Sequence, residues 1–125
     1  MKSQYRKKVQ KKKLYSEFVK VLNGLLGLSA RESEVLSLLM SIDANWRPVI
    51  GSDKEKKNVL STDNRKALME ETLISKNNLT KYLNVLKNKG LILGDSVLGY
   101  YINPMFMPKE ISGIVEIVFT LDIER

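Results

Sequence analysis

The segment between Ser75 and Gly90 constrains the fold of this chain more than any other part of the sequence. Apolar residues recur in it at the three- and four-residue spacing of one helix face: Leu79, Leu83 and Leu86. Ser75 stands where a side-chain oxygen caps the first turn of a helix, and Gly90 stands where a helix commonly ends. The pattern predicts a helix over residues 76–89 with one buried face.

The opposite face of this predicted helix is polar and contains no acid. An α-helix fits the major groove of B-DNA, where asparagine can bridge N6 and N7 of adenine and lysine contacts guanine or phosphate. The alternative is a face that is only solvated. The predicted DNA-contacting side chains of this helix are Lys76, Asn77, Asn78, Thr80, Lys81, Asn84 and Lys87.

Two further helices are predicted upstream, over residues 30–43 and 63–72, with a loop over residues 44–58 between them. Ser29 and Glu32 have the spacing of a capping box, in which each side chain satisfies a free backbone amide at the helix start. The candidate caps of the second helix are Ser61 and Thr62.

Beyond Gly90 the apolar period changes from helical to alternating. Short strands are predicted over residues 91–93 and 98–102, joined by the turn Gly94-Asp95-Ser96. Residues 114–123 alternate so that the odd-numbered side chains form a wholly apolar face, which predicts a C-terminal strand. That strand could join the hairpin sheet or pair with another subunit.

The net charge of +7 is concentrated at the N-terminus. Residues 1–20 contain eight basic residues and one acid, whereas residues 21–125 contain 13 of each. Residues 1–13 are too charged to bury and are predicted to be a basic arm, either disordered or a solvated helical extension. Such an arm suits a polyanion, an anionic membrane surface or simple solubility. The predicted nucleic-acid contacts in the arm are Arg6, Lys7, Lys8, Lys11, Lys12 and Lys13.

The absence of two residue types limits the catalytic and metal-binding chemistry open to this chain. The chain has no cysteine and no histidine, which excludes disulfides, thiol catalysis, most zinc sites and the commonest general base. We find no metal-ligand cluster, nucleotide-binding glycine loop or nucleophile motif in the sequence, so we expect a protein that is not an enzyme and uses no cofactor. No apolar run is long enough to span a membrane, and the expectation is a soluble, unexported, cytoplasmic chain without a membrane partner.

The order helix, loop with a short strand at residues 59–60, helix, tight turn, basic helix and hairpin resembles a winged helix-turn-helix domain. The motif LISKNNLTKYLNVLKNKGLIL, residues 73–93, is similar to the recognition helix of that superfamily with its cap and its exit into the wing. LSARESEVLSLLMSI, residues 28–42, looks like the first helix of the same fold. YYINPMF, residues 100–106, is similar to the end of the wing in plasmid and phage replication or regulatory proteins. The long loop over residues 44–58 departs from the compact versions of the fold.

The resemblance implies an α+β fold with a three-helix core and a β-hairpin wing over residues 28–104. The predicted parts around it are the arm, residues 1–13, an N-terminal helix, residues 14–27, and a C-terminal turn and strand, residues 105–125. Two roles stay open for the Leu14–Leu26 helix, which could pair two copies or pack on its own domain. The C-terminal strand is the second candidate for a homodimer contact.

The function implied is sequence-specific binding of double-stranded DNA by a transcription regulator or replication initiator. Such a protein would act at the nucleoid in the cytoplasm of a bacterial or phage-infected cell. The alternative is a winged-helix interaction subunit whose partner is a polymerase or the replication machinery. Binding of single-stranded DNA or RNA is a third hypothesis, which the scattered tyrosines do not favour.

Overall fold

Helices dominate the chain and a small β-hairpin follows them, which makes the fold α+β. The computed structural model describes residues 6–48, 56–118 and 120–124. The α-helices in these residues are α1 Leu14–Leu26, α2 Ala30–Asn45, α3 Thr62–Thr72 and α4 Lys76–Asn88. The hairpin is formed by β1 Ile92–Asp95 and β2 Gly99–Ile102. Single 3-10 turns lie at Lys11–Lys13 and Pro104–Phe106. A second, minimal hairpin is formed by β3 Glu110–Ile111 and β4 Ile114–Val115.

Serine side chains begin three of the helices, as the sequence predicts. The capping box at α2 is complete, because Glu32 N–H donates to Ser29 Oγ and Ser29 N–H donates to Glu32 Oε1. Ser61 and Ser75 each accept one backbone N–H in the first turns of α3 and α4. These local bonds explain why the predicted starts of the helices agree with the observed ones to within one residue.

All four helices contribute to one apolar core. The buried side chains of α4 are the predicted ones, Leu79, Leu83 and Leu86. Helix α2 buries Val35, Leu36, Leu39 and Met40, and α1 buries Phe18, Val19 and Leu22 against it. Helix α1 therefore packs on its own chain. Two of its apolar residues, Val21 and Leu25, remain exposed.

The β1–β2 hairpin is held to the preceding segment by backbone contacts. The short strand predicted at residues 59–60 is not formed, because both residues belong to a turn. Val59 N–H donates to the Tyr100 carbonyl at 3.0 Å, which places residue 59 beside β2. Gly99 makes this approach possible: its φ is +92°, and a Cβ there would lie 2.2 Å from the Lys57 carbonyl oxygen. The loop end and the hairpin are thus fixed to each other at a position that only glycine fits.

The prediction of a C-terminal strand over residues 114–123 is wrong for most of its length. Residues 114–115 pair with Glu110–Ile111, and the described residues beyond them have no regular secondary structure. A strand needs a hydrogen-bonding neighbour, and the described part of the chain supplies none for the remainder. The predicted apolar face is divided: Val115 and Ile117 pack against the core, whereas Leu121 and Ile123 are exposed.

The small β3–β4 hairpin lies near the start of α1 and the end of α2. Burial, and then the nearby carboxylates of Asp43 and Glu110, raise the pKa of the Tyr15 hydroxyl. Since Tyr15 is in the first turn of α1 and Asp43 is in the last turns of α2, Glu110 of β3 belongs to the same end of the molecule.

Candidate nucleic-acid interface

Helix α4 presents one continuous polar stripe to solvent. At 3.6 residues per turn, four side chains fall within about 60° of one another, opposite the buried leucines. All four are exposed, and the described residues give none of them a side-chain hydrogen-bond partner: Asn77, Lys81, Asn84 and Asn88. We call these four residues the α4 stripe. Its amide and ammonium groups are available to an external partner.

The other predicted contacts at the start of α4 flank the stripe. Thr80 Oγ1 donates to the Lys76 carbonyl at 3.0 Å, so its hydroxyl proton is used inside the helix while its lone pairs stay accessible. Asn78 is exposed but lies roughly a quarter turn around the helix from the stripe. Asn88 is not among the predicted DNA contacts, although its spacing of four from Asn84 extends the same polar face.

Two lysines at the end of α4 make contacts within the molecule. The Lys87 ammonium lies 4.5 Å from the centroid of the Tyr100 ring in β2, a cation–π contact between helix and hairpin. Lys89 Nζ donates to the Leu26 carbonyl at 2.9 Å, which satisfies a free carbonyl at the end of α1. Lys87, a predicted DNA contact, is half-buried and therefore less available than the α4 stripe.

A groove of about 380 Å³ separates α3 from α4. Each helix lines it with residues at positions i, i+3, i+4 and i+7, which share one face. The lining residues are Thr62, Arg65, Lys66 and Met69 of α3 and Lys76, Leu79, Thr80 and Leu83 of α4. We call this space the α3–α4 groove. Its floor is apolar, and the described residues that line it include three cations and no acid.

Arg65 and Lys66 are candidate functional residues that the sequence analysis missed. Arg65 Nε donates to the Leu60 carbonyl at 2.9 Å, which holds the guanidinium beside the groove. Lys66 is exposed. Their spacing from Thr62 and Met69 places all four residues on one face of α3. That spacing indicates a site only when α4 is known to lie beside this face.

The basic arm continues directly into α1. Lys11, Lys12 and Lys13 form an exposed 3-10 turn whose Lys13 N–H donates to the Gln10 carbonyl. Arg6 and Lys8 are also exposed. The predicted arm residues 1–5 lie outside the described residues.

Lys7 of the arm is tied to α1. Its Nζ donates to Glu17 Oε2 at 2.8 Å, and this hydrogen bond is the main reason why the pKa of the Glu17 carboxyl is lowered. Lys20 approaches the other oxygen of Glu17 at 3.5 Å.

Helix α1 is about 20 Å long, and its far end contacts Lys89 at the end of α4. The structure therefore does not bring the arm and the α4 stripe together directly.

The tip of the β1–β2 hairpin is apolar. Asp95 Oδ1 accepts the backbone N–H groups of Val97 and Leu98 at 2.9 and 2.7 Å, which turns its charge back into the loop. The side chains of Val97 and Leu98 are exposed. Residues 94–99, which form the tip, contain no basic side chain that could contact a phosphate.

Neither a metal site nor a membrane span is apparent in the described part of the chain. Within residues 6–48, 56–118 and 120–124, no three acidic side chains cluster in a way that could hold a metal ion. None of the helices in the same residues has the length and apolarity that crossing a bilayer requires.

Comparison with family models, with curated proteins and with solved structures found no match to this chain.

Proposed function

We propose that this chain is a winged-helix protein that binds double-stranded DNA in a sequence-specific manner, as a transcription regulator or replication initiator. The observation that carries the proposal is the α4 stripe: three asparagines and a lysine on the exposed face of one helix, without an acid. The protein would act at the nucleoid of a bacterial or phage-infected cell.

The order of elements supports the winged-helix part of the proposal. Helices α2, α3 and α4 share one core, and the β1–β2 hairpin follows α4 directly. The backbone bond from Val59 to Tyr100 holds the segment between α2 and α3 against the hairpin. A winged helix has the same succession, with α4 as its recognition helix.

The dimensions and chemistry of the α4 stripe suit the major groove. From Asn77 to Asn88 the helix rises about 16 Å, which corresponds to about five base pairs at 3.4 Å each. Asparagine amides can bridge adenine N6 and N7, and Lys81 can donate to guanine O6 or N7. Sequence preference would therefore come from these four side chains.

The cations around the stripe would supply affinity without sequence choice. Arg65, Lys66 and Lys76 border the α3–α4 groove on one side of the stripe. Because the arm joins α1 about 20 Å from the end of α4, it would reach phosphates at a distance from the base contacts. Each phosphate that a cation neutralises steepens the salt dependence of binding.

The test is selection of bound sequences from random duplex DNA, followed by gel shifts over a salt series. Substitution of Asn77→Ala together with Lys81→Ala should abolish preference for the selected site and leave weak binding to any duplex. The matched control is Asn45→Ala with Lys20→Ala, which removes the same groups from exposed positions on α2 and α1. Deletion of residues 1–13 should lower the salt slope by several units without changing the preferred sequence. Selection that enriches no sequence, or equal preference in the α4 variant, would refute the proposal.

The apolar hairpin tip favours the second candidate, an interaction subunit of a polymerase or replication complex. Val97 and Leu98 are 74% and 70% exposed side by side, and exposed apolar side chains in a group are typical of protein contacts. A pull-down from host extract with and without nuclease separates the two functions. A defined replication or transcription protein retained after nuclease treatment, and lost on Val97→Ser with Leu98→Ser, would support this candidate.

A further inference from the structure

The C-terminal segment, residues 116–124, is exposed over most of its described length. Ile117 packs against the core, but Val118, Leu121 and Ile123 are 76%, 84% and 78% exposed. The acids of the segment are Glu116, Asp122 and Glu124, and no base lies among its nine residues. It is therefore an acidic segment with exposed apolar side chains that need a partner surface.

The α3–α4 groove has the complementary character. Its floor is apolar, from Met69, Leu79 and Leu83, and its cations are Arg65, Lys66 and Lys76. Positions i to i+7 of a helix extend about 10 Å, which is the length of about three extended residues. The tripeptide Leu121-Asp122-Ile123 matches that length and brings two apolar side chains and one acid.

We propose that residues 121–123 of a second copy of this chain dock in the α3–α4 groove. Leu121 and Ile123 lie on one side of an extended segment and would cover the apolar floor, while Asp122 would pair with the surrounding cations in the DNA-free protein. When each of two copies inserts its segment into the other, the contact closes into a symmetric pair and does not extend into a filament.

Charge favours this contact over pairing of two C-terminal segments with each other. Side-by-side segments would bring six carboxylates together with no base between residues 116 and 124, and like charges across paired strands are destabilising. All the charged residues that line the groove, within the described part of the chain, are cations instead. In the same chain, Val115 and Ile117 hold the start of the segment on the core, and Leu121 and Ile123 remain exposed instead of covering the groove. These two observations select the second copy as the source.

The natural absence of cysteine makes cross-linking between single introduced cysteines specific. Chains with Asp122→Cys and chains with Lys66→Cys are mixed without DNA and treated with a short thiol-to-thiol cross-linker. The product expected is a heterodimer, at least fivefold above the homodimer of either variant. The control replaces the groove variant with Lys13→Cys, an exposed arm position outside the groove, and should give only background.

Each alternative occupant gives a different product. Dominant cross-linking of Asp122→Cys to itself would mean that the segments pair with each other, and would overturn the proposal. A double variant with both cysteines that cross-links as a monomer would assign the groove to the chain's own segment, and would overturn the proposal as well. Absence of any cross-link above the Lys13→Cys control would also refute it.

A charge exchange gives a second readout in solution. Sedimentation equilibrium should show self-association that Asp122→Lys weakens at least tenfold and that Lys66→Asp in the same chain restores to within about threefold. Failure of the second substitution to restore association would refute the pairing of these two residues. Neither measurement contains DNA, so the result is independent of whether the α4 stripe binds DNA.

Discussion

The carboxylate of Asp43, near the end of α2, accepts the backbone N–H of Ile102 in β2 at 2.8 Å. Its other oxygen accepts Lys57 Nζ at 2.9 Å, and the residue is 8% exposed. One buried carboxylate thereby connects α2, the segment before α3 and the hairpin. Because it satisfies a buried backbone donor, the bond positions the hairpin relative to the helices.

Replacement of Asp43 should therefore destabilise the whole domain. Asp43→Ala leaves the Ile102 N–H buried without an acceptor, and the expected loss is about 2–3 kcal/mol in the free energy of unfolding. Asp43→Asn keeps an oxygen that can accept from Ile102 and should lose about half as much. Urea unfolding followed by circular dichroism measures both. Equal losses in the two variants would show that the hydrogen bond to Ile102 does not determine the effect.

Two glycines should respond to alanine with opposite signs. A Cβ at Gly99 would lie 2.2 Å from the Lys57 carbonyl oxygen at a φ of +92°, so Gly99→Ala should cost about 2 kcal/mol or more. Gly24 lies within α1 and a Cβ there meets nothing within 4 Å. Gly24→Ala should stabilise by about 0.5–1 kcal/mol, because it reduces the freedom of the unfolded chain.

Thermal unfolding of the two variants checks the glycine prediction. The Gly24→Ala chain should melt several degrees above the natural chain, and the Gly99→Ala chain well below it. A Gly99→Ala chain as stable as the natural one would mean that the loop end does not approach the hairpin as closely as described.

Tyr15 should make stability depend on alkaline pH. Burial, followed by the nearby carboxylates of Asp43 and Glu110, raises the pKa of its hydroxyl above 10.0 in the folded chain. The folded state therefore keeps this proton where the unfolded chain has lost it. The resulting stability is complete below pH 10 and is lost as the pH rises through the folded pKa.

The variant Tyr15→Phe isolates this effect from the titration of lysines and other tyrosines, which both chains share. The difference in unfolding free energy between the natural chain and the variant should be constant below about pH 9 and shrink above about pH 10. A difference that stays constant throughout would show that Tyr15 titrates normally.

Local signals made the helices predictable from sequence. The caps Ser29, Ser61 and Ser75 each bond to an amide three residues away, so the information lies within one turn of the chain. The spacing of the buried leucines of α4 also identified which residues lie on its opposite, exposed face. The prediction of a strand over residues 114–123 failed because alternating apolar residues describe a side-chain pattern and do not identify a hydrogen-bonding neighbour.

Contacts between distant residues could not be predicted. Lys89 bonds to Leu26 and Lys87 lies over Tyr100, and both contacts depend on how α4 lies against other elements. The α3–α4 groove is of the same kind, because Arg65 and Lys66 resemble ordinary surface residues until α4 is placed beside them. Sequence patterns identify the buried and exposed faces of one helix, whereas a site between two helices can be recognised only when their relative arrangement is known.

Glu17 of α1 is the acid that holds Lys7 of the arm. Its carboxyl pKa is lowered, chiefly by the hydrogen bond from Lys7, so the pair is complete above the unfolded pKa and is lost as the pH falls through the folded value. At neutral pH, Glu17→Gln removes the carboxylate that pairs with Lys7 and Lys20, and the magnitude of the salt slope of DNA binding should rise by about one. Glu34→Gln is the matched control, since Glu34 pairs with Arg31 on α2 and does not hold the arm. Gel shifts at several salt concentrations measure both slopes, and an equal change in the two variants would attribute the effect to net charge and not to Lys7.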